Sequence, residues 1–160
     1  MQHGRPATTS EIPRSLKRVI VAGFGPVGRC VTEQLRGEGV HITLIDTNPA
    51  TIATQAKLGL STVLGDVTDP AVLKAAGIES ADALILAVPN EDVVVRACTQ
   101  ARKLSRKVFI AARTNFVSLG LLATKAGADH VTVEEIVTAE AMRNAVVHHF
   151  FEDDIASAGE

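Results

Sequence analysis

This chain is predicted to fold as α/β: a single doubly wound parallel six-stranded sheet, order 3-2-1-4-5-6, with a final crossover helix. Short apolar runs begin near Val19, Ile42, Thr62, Ala83, Val108 and Val131, 20–25 residues apart. Helix-like stretches separate them. A strand–helix alternation of that spacing builds a parallel sheet through right-handed crossovers, and the apolar runs read as strands buried on both faces.

Each element has its own signal. The first strand, Arg18-Val19-Ile20-Val21-Ala22, runs into glycines and then a helix that Pro26 can start, since proline presets φ and its missing N–H costs nothing there. Gly39 closes that helix, and Ile42-Thr43-Leu44-Ile45 forms the second strand. Pro49 begins the next helix and Gly59 ends it before the strand at Thr62. Thr68-Asp69-Pro70 opens a short helix closed by Gly77, and Pro89-Asn90-Glu91-Asp92 opens another after the strand at Ala83. Beyond the strand at Val108, Gly127 ends a further helix. The strand at Val131 leads into the last helix, expected to end near residue 149. Residues 1–17 are expected to form a mobile tail, 18–150 the domain and 151–160 a frayed C-terminal tail.

The most informative motif is Gly23-Phe24-Gly25-Pro26-Val27-Gly28, followed by Asp46, 18 residues beyond Gly28. Strand, Gly-x-Gly-x-x-Gly, helix, strand and acid form the Rossmann-like phosphate-and-ribose grip: the glycines permit a tight turn and close backbone approach, and the helix start favours an anion. Asp46 ends the second strand, where a carboxylate accepts from ribose hydroxyls and repels a 2′-phosphate. Thr47-Asn48-Pro49 offers no arginine for such a phosphate, so an adenine nucleotide, AMP or NAD(H), is favoured and NADP disfavoured. The alternative role for Asp46 is N-cap of the helix begun by Pro49. Pro26 removes one donor from the loop, so ADP or ATP would lean on the remaining amides and on a cation such as Arg29.

In an open parallel sheet, ligands lie past the carboxyl ends of the strands at the switch point. That adds Gly65, Asp66 and Val67 after the third strand and Ala87, Val88 and Pro89 after the fourth to the loop of Gly23–Gly28, Asp46 and Thr47. Asp66 could accept from an adenine amino group while the Val67 backbone reads the ring; its alternative is loop hydrogen bonding. Arg113 ends the fifth strand and could reach a phosphate, a partner's carboxylate or a surface ion pair.

A net charge of −2 and 3% aromatics, all Phe, argue against a nucleic-acid surface. No apolar run is long enough to span a bilayer and no secretory leader is evident, so a soluble, cytoplasmic chain is expected. Cys30 and Cys98 are expected to be buried, reduced thiols, with redox sensing by Cys30 as the alternative. No catalytic or metal-ligating residue is assigned. His130 is read as structural, and His148-His149, Glu134-Glu135 and Glu152-Asp153-Asp154 as solvated. The last helix, with Ile136, Val137, Ala141, Val146, Val147, Phe150 and Phe151, is more apolar than exposure allows and is expected to dock on its own sheet or on a second subunit.

Residues 18–147 resemble the nucleotide-binding half of RCK domains, also called KTN or TrkA-N domains, which regulate potassium channels and transporters. The resemblance rests on the glycine loop and Asp46, on Gly65-Asp66-Val67-Thr68-Asp69-Pro70-Ala71-Val72-Leu73, Ala76-Gly77-Ile78 and Ala81-Asp82-Ala83, and on Ala112-Arg113 and Ala126-Gly127-Ala128-Asp129-His130-Val131. The Gly-Phe-Gly-Pro-Val-Gly form looks closest to regulatory domains of Kef-type cation/proton antiporters. The resemblance implies binding of NAD(H), AMP, ADP or ATP. It also implies a homodimer, possibly a higher oligomer, whose last helix crosses to the neighbour, and a membrane potassium or cation transporter or channel as partner. By position, Gly23, Gly25, Pro26, Val27 and Gly28 form the phosphate loop, Asp46 holds ribose, Asp66 and Val67 hold adenine, Ala87 and Pro89 wall the cleft, and Arg113 meets a phosphate or a neighbouring subunit. Triphosphate-binding relatives often carry a basic residue where Pro26 stands. The family's usual C-terminal lobe and any membrane part are not in this sequence, so a fragment or a stand-alone subunit is expected, acting at the inner face of the membrane through its partner.

The leading expectation is therefore a nucleotide-sensing regulatory domain. The alternatives are a small NAD-dependent oxidoreductase, which lacks a substrate lobe and, without tyrosine, a Tyr-x-x-x-Lys centre, and a dimerisation module that has lost its ligand.

Overall fold

The computed structural model describes residues 12–36 and 39–157, so residues 1–11 of the expected tail lie outside the described residues. Six strands and six helices alternate: β1 (Arg18–Ala22), α1 (Pro26–Leu35), β2 (His41–Asp46), α2 (Pro49–Lys57), β3 (Ser61–Leu64), α3 (Pro70–Ala75), β4 (Ala83–Leu86), α4 (Glu91–Leu104), β5 (Phe109–Thr114), α5 (Val117–Ala126), β6 (His130–Val133) and α6 (Glu134–Ser157). All pairings are parallel and the order is β3-β2-β1-β4-β5-β6, as the sequence predicts.

Alternation along β1 explains why it is apolar throughout. Ile20 and Ala22 join Leu73, Ile78, Leu84, Val94 and Ile110 in one core layer, while Val19 and Val21 join Ile42 and Leu44 in the other. Each fully buried Ile or Leu contributes about 1.5–3 kcal/mol. The predicted caps are in place: Asp69 accepts from the Ala71 N–H at 2.8 Å and Asn90 from Val93 at 3.1 Å.

Two aspartates of the family-like blocks act as strand latches. Asp82, just before β4, accepts with Oδ2 from the N–H groups of Lys17 and Arg18, both at 2.8 Å, and so fixes the entry of β1. Asp129, just before β6, accepts from Ile110 N–H at 2.8 Å and pairs with Arg102 at 2.7 Å, fixing β5. The Arg18 and Lys17 N–H groups hold the Asp82 carboxyl below its ordinary value of 3.8. Because the folded value is the lower one, this stabilisation is complete above the ordinary value and is lost as pH falls through the folded one. The Asp82→Asn variant is expected to melt earlier at neutral pH and to lose less stability than the native chain between about pH 4 and pH 2. A Tm series across that range checks this, and parallel curves for the two proteins contradict it.

Two expectations are corrected, and one of two alternatives is removed. Cys98 is buried, and burial pushes its thiol up to about 11, but Cys30 is exposed, because α1 turns Gly28 and Thr32 inward and position 30 lies between them on the outer side. The last helix does not stop near 149 but runs through Ser157; residues 152–157 contain no glycine or proline to end it sooner. Nor does it dock on its own sheet: residues 135–152 are exposed apart from half-buried Val147. At 1.5 Å per residue it is about 36 Å long. Among the described residues, no helix is long and apolar enough to cross a membrane.

Candidate nucleotide-binding site

The three loop glycines stand in three different environments. Gly23 has φ of 93°, and a Cβ there would stand 3.0 Å from Val88 Cγ1 and 3.1 Å from the Ala87 carbonyl carbon. Gly28 packs the start of α1 on the end of β1: its Cβ would lie 1.8 Å from the Gly23 carbonyl oxygen. A Cβ on Gly25 meets nothing within 4 Å. No packing inside the protein requires glycine at that position, so the space it leaves is available for close approach by a ligand. Helix α1 begins there with Pro26, with no side-chain cap and no acidic residue in its first turn, so its positive end is uncompensated.

Asp46 holds this loop in place. Its Oδ2 accepts from Phe24 N–H at 2.9 Å and its Oδ1 from Asn48 N–H at 2.8 Å, which ties the glycine loop to the end of β2. The N-cap of α2 is Asn48, whose Oδ1 accepts from Ala50 N–H at 2.9 Å, and this removes the capping alternative for Asp46. Each carboxylate oxygen keeps lone-pair capacity for a further donor. Asp66 takes the loop role weighed for it: Oδ1 accepts from Thr68 N–H at 2.8 Å and Thr68 Oγ1 at 2.7 Å. The Thr68 backbone bond, reinforced by its hydroxyl, holds the Asp66 carboxyl below the ordinary range. Its exposed side chain still faces the cleft, with Val67 buried beneath.

The candidate residues divide between two clefts on either side of the loop. The first, about 300 Å³, is lined by Gly23, Phe24, Gly25, Asp46, Thr47, Gly65, Asp66, Val67, Val88 and Pro89. The second, about 360 Å³ and mostly apolar, takes Val27, Ala87 and Arg113 together with Val31, Ile85 and Glu134. Pro26 and Gly28 line neither; one starts α1 and the other is buried in the loop–helix contact. Arg113 is ion-paired with Glu134 at 2.6 Å. Arg29, considered as a phosphate cation, lines a shallow groove with Ala50 and Thr54 outside both clefts. A larger groove of about 590 Å³ lies at the other end of the strands, where six-residue α3 leaves Thr43 and Val63 half-buried.

Glu134 and Glu135, solvated in the sequence reading, are both engaged. Glu135 Oε1 accepts from Val117 N–H at 3.1 Å, and Glu134 meets Arg113 because β5 and β6 pair with Thr114 opposite Val133. The signal that points to the Arg113 contact is the predicted strand order, which makes the ends of the fifth and sixth strands neighbours.

Known proteins place this architecture. The glutathione-regulated potassium-efflux system protein KefC of Salmonella arizonae is 32% identical over 127 residues, covering 79% of this chain and 19% of that protein. The chain therefore spans about a fifth of the length of the curated relatives it matches. The crystal structure of the TrkA-N domain of the Escherichia coli inner membrane protein ybaL superposes with a TM-score of 0.78 at 25% identity, covering 81% of this chain and 96% of that one. The Shewanella denitrificans Kef CTD in its AMP-bound form gives 0.71 at 23% identity, covering 84% and 81%. The TrkA-N domain signature itself matches residues 19–134, from β1 to the first residue of α6, and the chain belongs to the TrkA-N domain family.

Proposed function

We propose that this chain is a nucleotide-sensing regulatory domain that controls a potassium or cation transporter or channel through ligand-dependent rearrangement of a homodimer. The observation that carries the reading is the glycine loop fastened to Asp46 beside a cleft of about 300 Å³, on a TrkA-N fold. In this reading adenosine fills the first cleft, with ribose hydroxyls on Asp46, the base near Asp66 and Val67, and phosphate against Gly25 and the start of α1. AMP or NAD(H) is the favoured ligand, ADP and ATP are weaker candidates, and NADP is disfavoured by the Asp46 charge. The AMP-bound state of the similar Kef domain is in keeping with this.

Calorimetric titration with AMP, ADP, ATP, NAD, NADH and NADP is the test. Binding in the micromolar range by AMP or NAD(H), with NADP weakest, is the expected outcome; no binding by any of them ends the nucleotide reading. The role proposed is sensing rather than catalysis, so NADH is not turned over with carbonyl compounds, and turnover would revive the oxidoreductase.

The dimer rests on α6. Ile136, Val137, Met142, Val146, Phe150 and Phe151 are all at least 43% exposed and lie on several sides of the helix. A helix whose large apolar side chains spread over more than half its circumference needs burial, and the body of its own chain does not supply it. A second copy does, by exchanging α6. The energy available to the membrane partner is the difference in ligand affinity between two dimer arrangements. Light scattering is expected to give the mass of a dimer, and Val146→Asp that of a monomer; a monomeric native chain refutes the exchange. The site of action is the cytoplasmic face of the membrane, reached through the partner protein.

A further inference from the structure

Glu134 is the first residue of α6, and Arg113 is near the end of β5. Strand register sets them side by side, and Arg113 Nη2 meets Glu134 Oε1 at 2.6 Å with the two side chains 18% and 38% exposed. Both line the second cleft, whose other walls include Val27, Val31, Ile85 and Ala87. Among the described residues lining the two clefts, Arg113 is the one cation, and Glu134 already neutralises it.

Resting on the nucleotide reading above, this geometry bears on ligand charge. A phosphate that ends at the glycine loop does not meet the ion pair. A longer phosphate chain carries negative charge past the loop toward the second cleft, where it finds a cation that is taken and a carboxylate that repels it. It can use Arg113 only by displacing Glu134, which leaves that carboxylate unpaired beside another anion. Pro26 acts in the same direction by withholding one amide from the loop.

We infer that Glu134 is a specificity-determining residue: by occupying Arg113 it selects AMP over nucleoside di- and triphosphates, whose terminal phosphates carry extra charge. With Glu134 neutralised, Arg113 becomes available to a β-phosphate, and the ratio of ADP affinity to AMP affinity rises by about tenfold, the worth of one charge-assisted hydrogen bond.

The experiment titrates AMP and ADP into the full chain in native, Glu134→Gln and Glu134→Gln/Arg113→Met forms, with Tm recorded for each. The expected result is an ADP-to-AMP ratio about tenfold higher in Glu134→Gln that returns to the native value when Arg113 is also replaced. Glu134→Asp, which keeps the charge and the helix start but draws the carboxylate back by one methylene, gives a smaller rise in the same direction should the glutamine variant fold poorly. An unchanged ratio in Glu134→Gln overturns the proposal. So does a rise that persists without Arg113, since that is a general charge effect. If AMP binds the native chain and the ratio stays flat, only the role of Glu134 falls; if AMP does not bind the native chain, the nucleotide reading falls as well.

Discussion

Replacing Gly28 by alanine is expected to destabilise the domain by about 3 kcal/mol or more, a drop in Tm of roughly 10 °C for a chain of this size. The new Cβ would sit 1.8 Å from the Gly23 carbonyl oxygen and 2.9 Å from its carbon, and both atoms are backbone. No rotamer change relieves that contact, so α1 must back away from β1 and take the loop with it. Gly25→Ala is the matched control. Its Cβ meets nothing within 4 Å and its φ of −72° is one alanine adopts freely, so Tm stays put while nucleotide affinity falls. Thermal melts and titrations on the pair separate the two jobs of the motif. Equal Tm for native and Gly28→Ala chains refutes the packing role, and full affinity in Gly25→Ala refutes the phosphate cradle.

The Asp46→Ala variant is expected to lose between about 10- and 100-fold in affinity for AMP, one or two hydrogen bonds to a charged group. Two losses are combined. The ribose contact goes, and the N–H groups of Phe24 and Asn48 are left without their acceptors, which loosens the loop. The Asp46→Asn variant does not restore both, because an amide has one acceptor oxygen where the carboxylate serves a donor on each. A second readout isolates the charge: both variants should narrow the preference for NAD over NADP, since the repulsion of a 2′-phosphate is removed. AMP affinity and cofactor preference that both stay at native values would take ribose recognition away from Asp46.

These two residues also mark how far the sequence can be read. The three glycines and Asp46 are recognisable from spacing alone, because a phosphate turn needs its residues within one βαβ unit. What spacing does not reveal is that Asp46 spends one bond on each side of itself, holding Phe24 and Asn48, so that a candidate ligand residue is also a structural clasp. Such a role depends on where a carboxylate points once β1 and β2 are paired. Arg113 shows the same limit over a longer distance. Position puts it at the end of a strand facing the switch point, but its partner, Glu134, is brought to it by the lateral pairing of β5 and β6. Asp82 and Asp129 are visible as family-like blocks and not as latches on strands 64 and 19 residues away from them.

Sequence by itself determined the fold class, the strand order, the helix starts at Pro26, Pro49, Asp69 and Asn90, and the loop that a phosphate can approach. Those features are local: they follow from hydrophobic period, from residues that cap or break a helix, and from glycine where backbone must pass close to backbone. Tertiary structure alone decided that the candidate residues fall into two clefts rather than one. It decided also that Arg113 is already paired, that Cys30 faces outward and that α6 leaves its own sheet uncovered. Each of these depends on which side chains face one another across strands and helices distant in sequence, a relation fixed by sheet register and packing and not by any pattern along the chain.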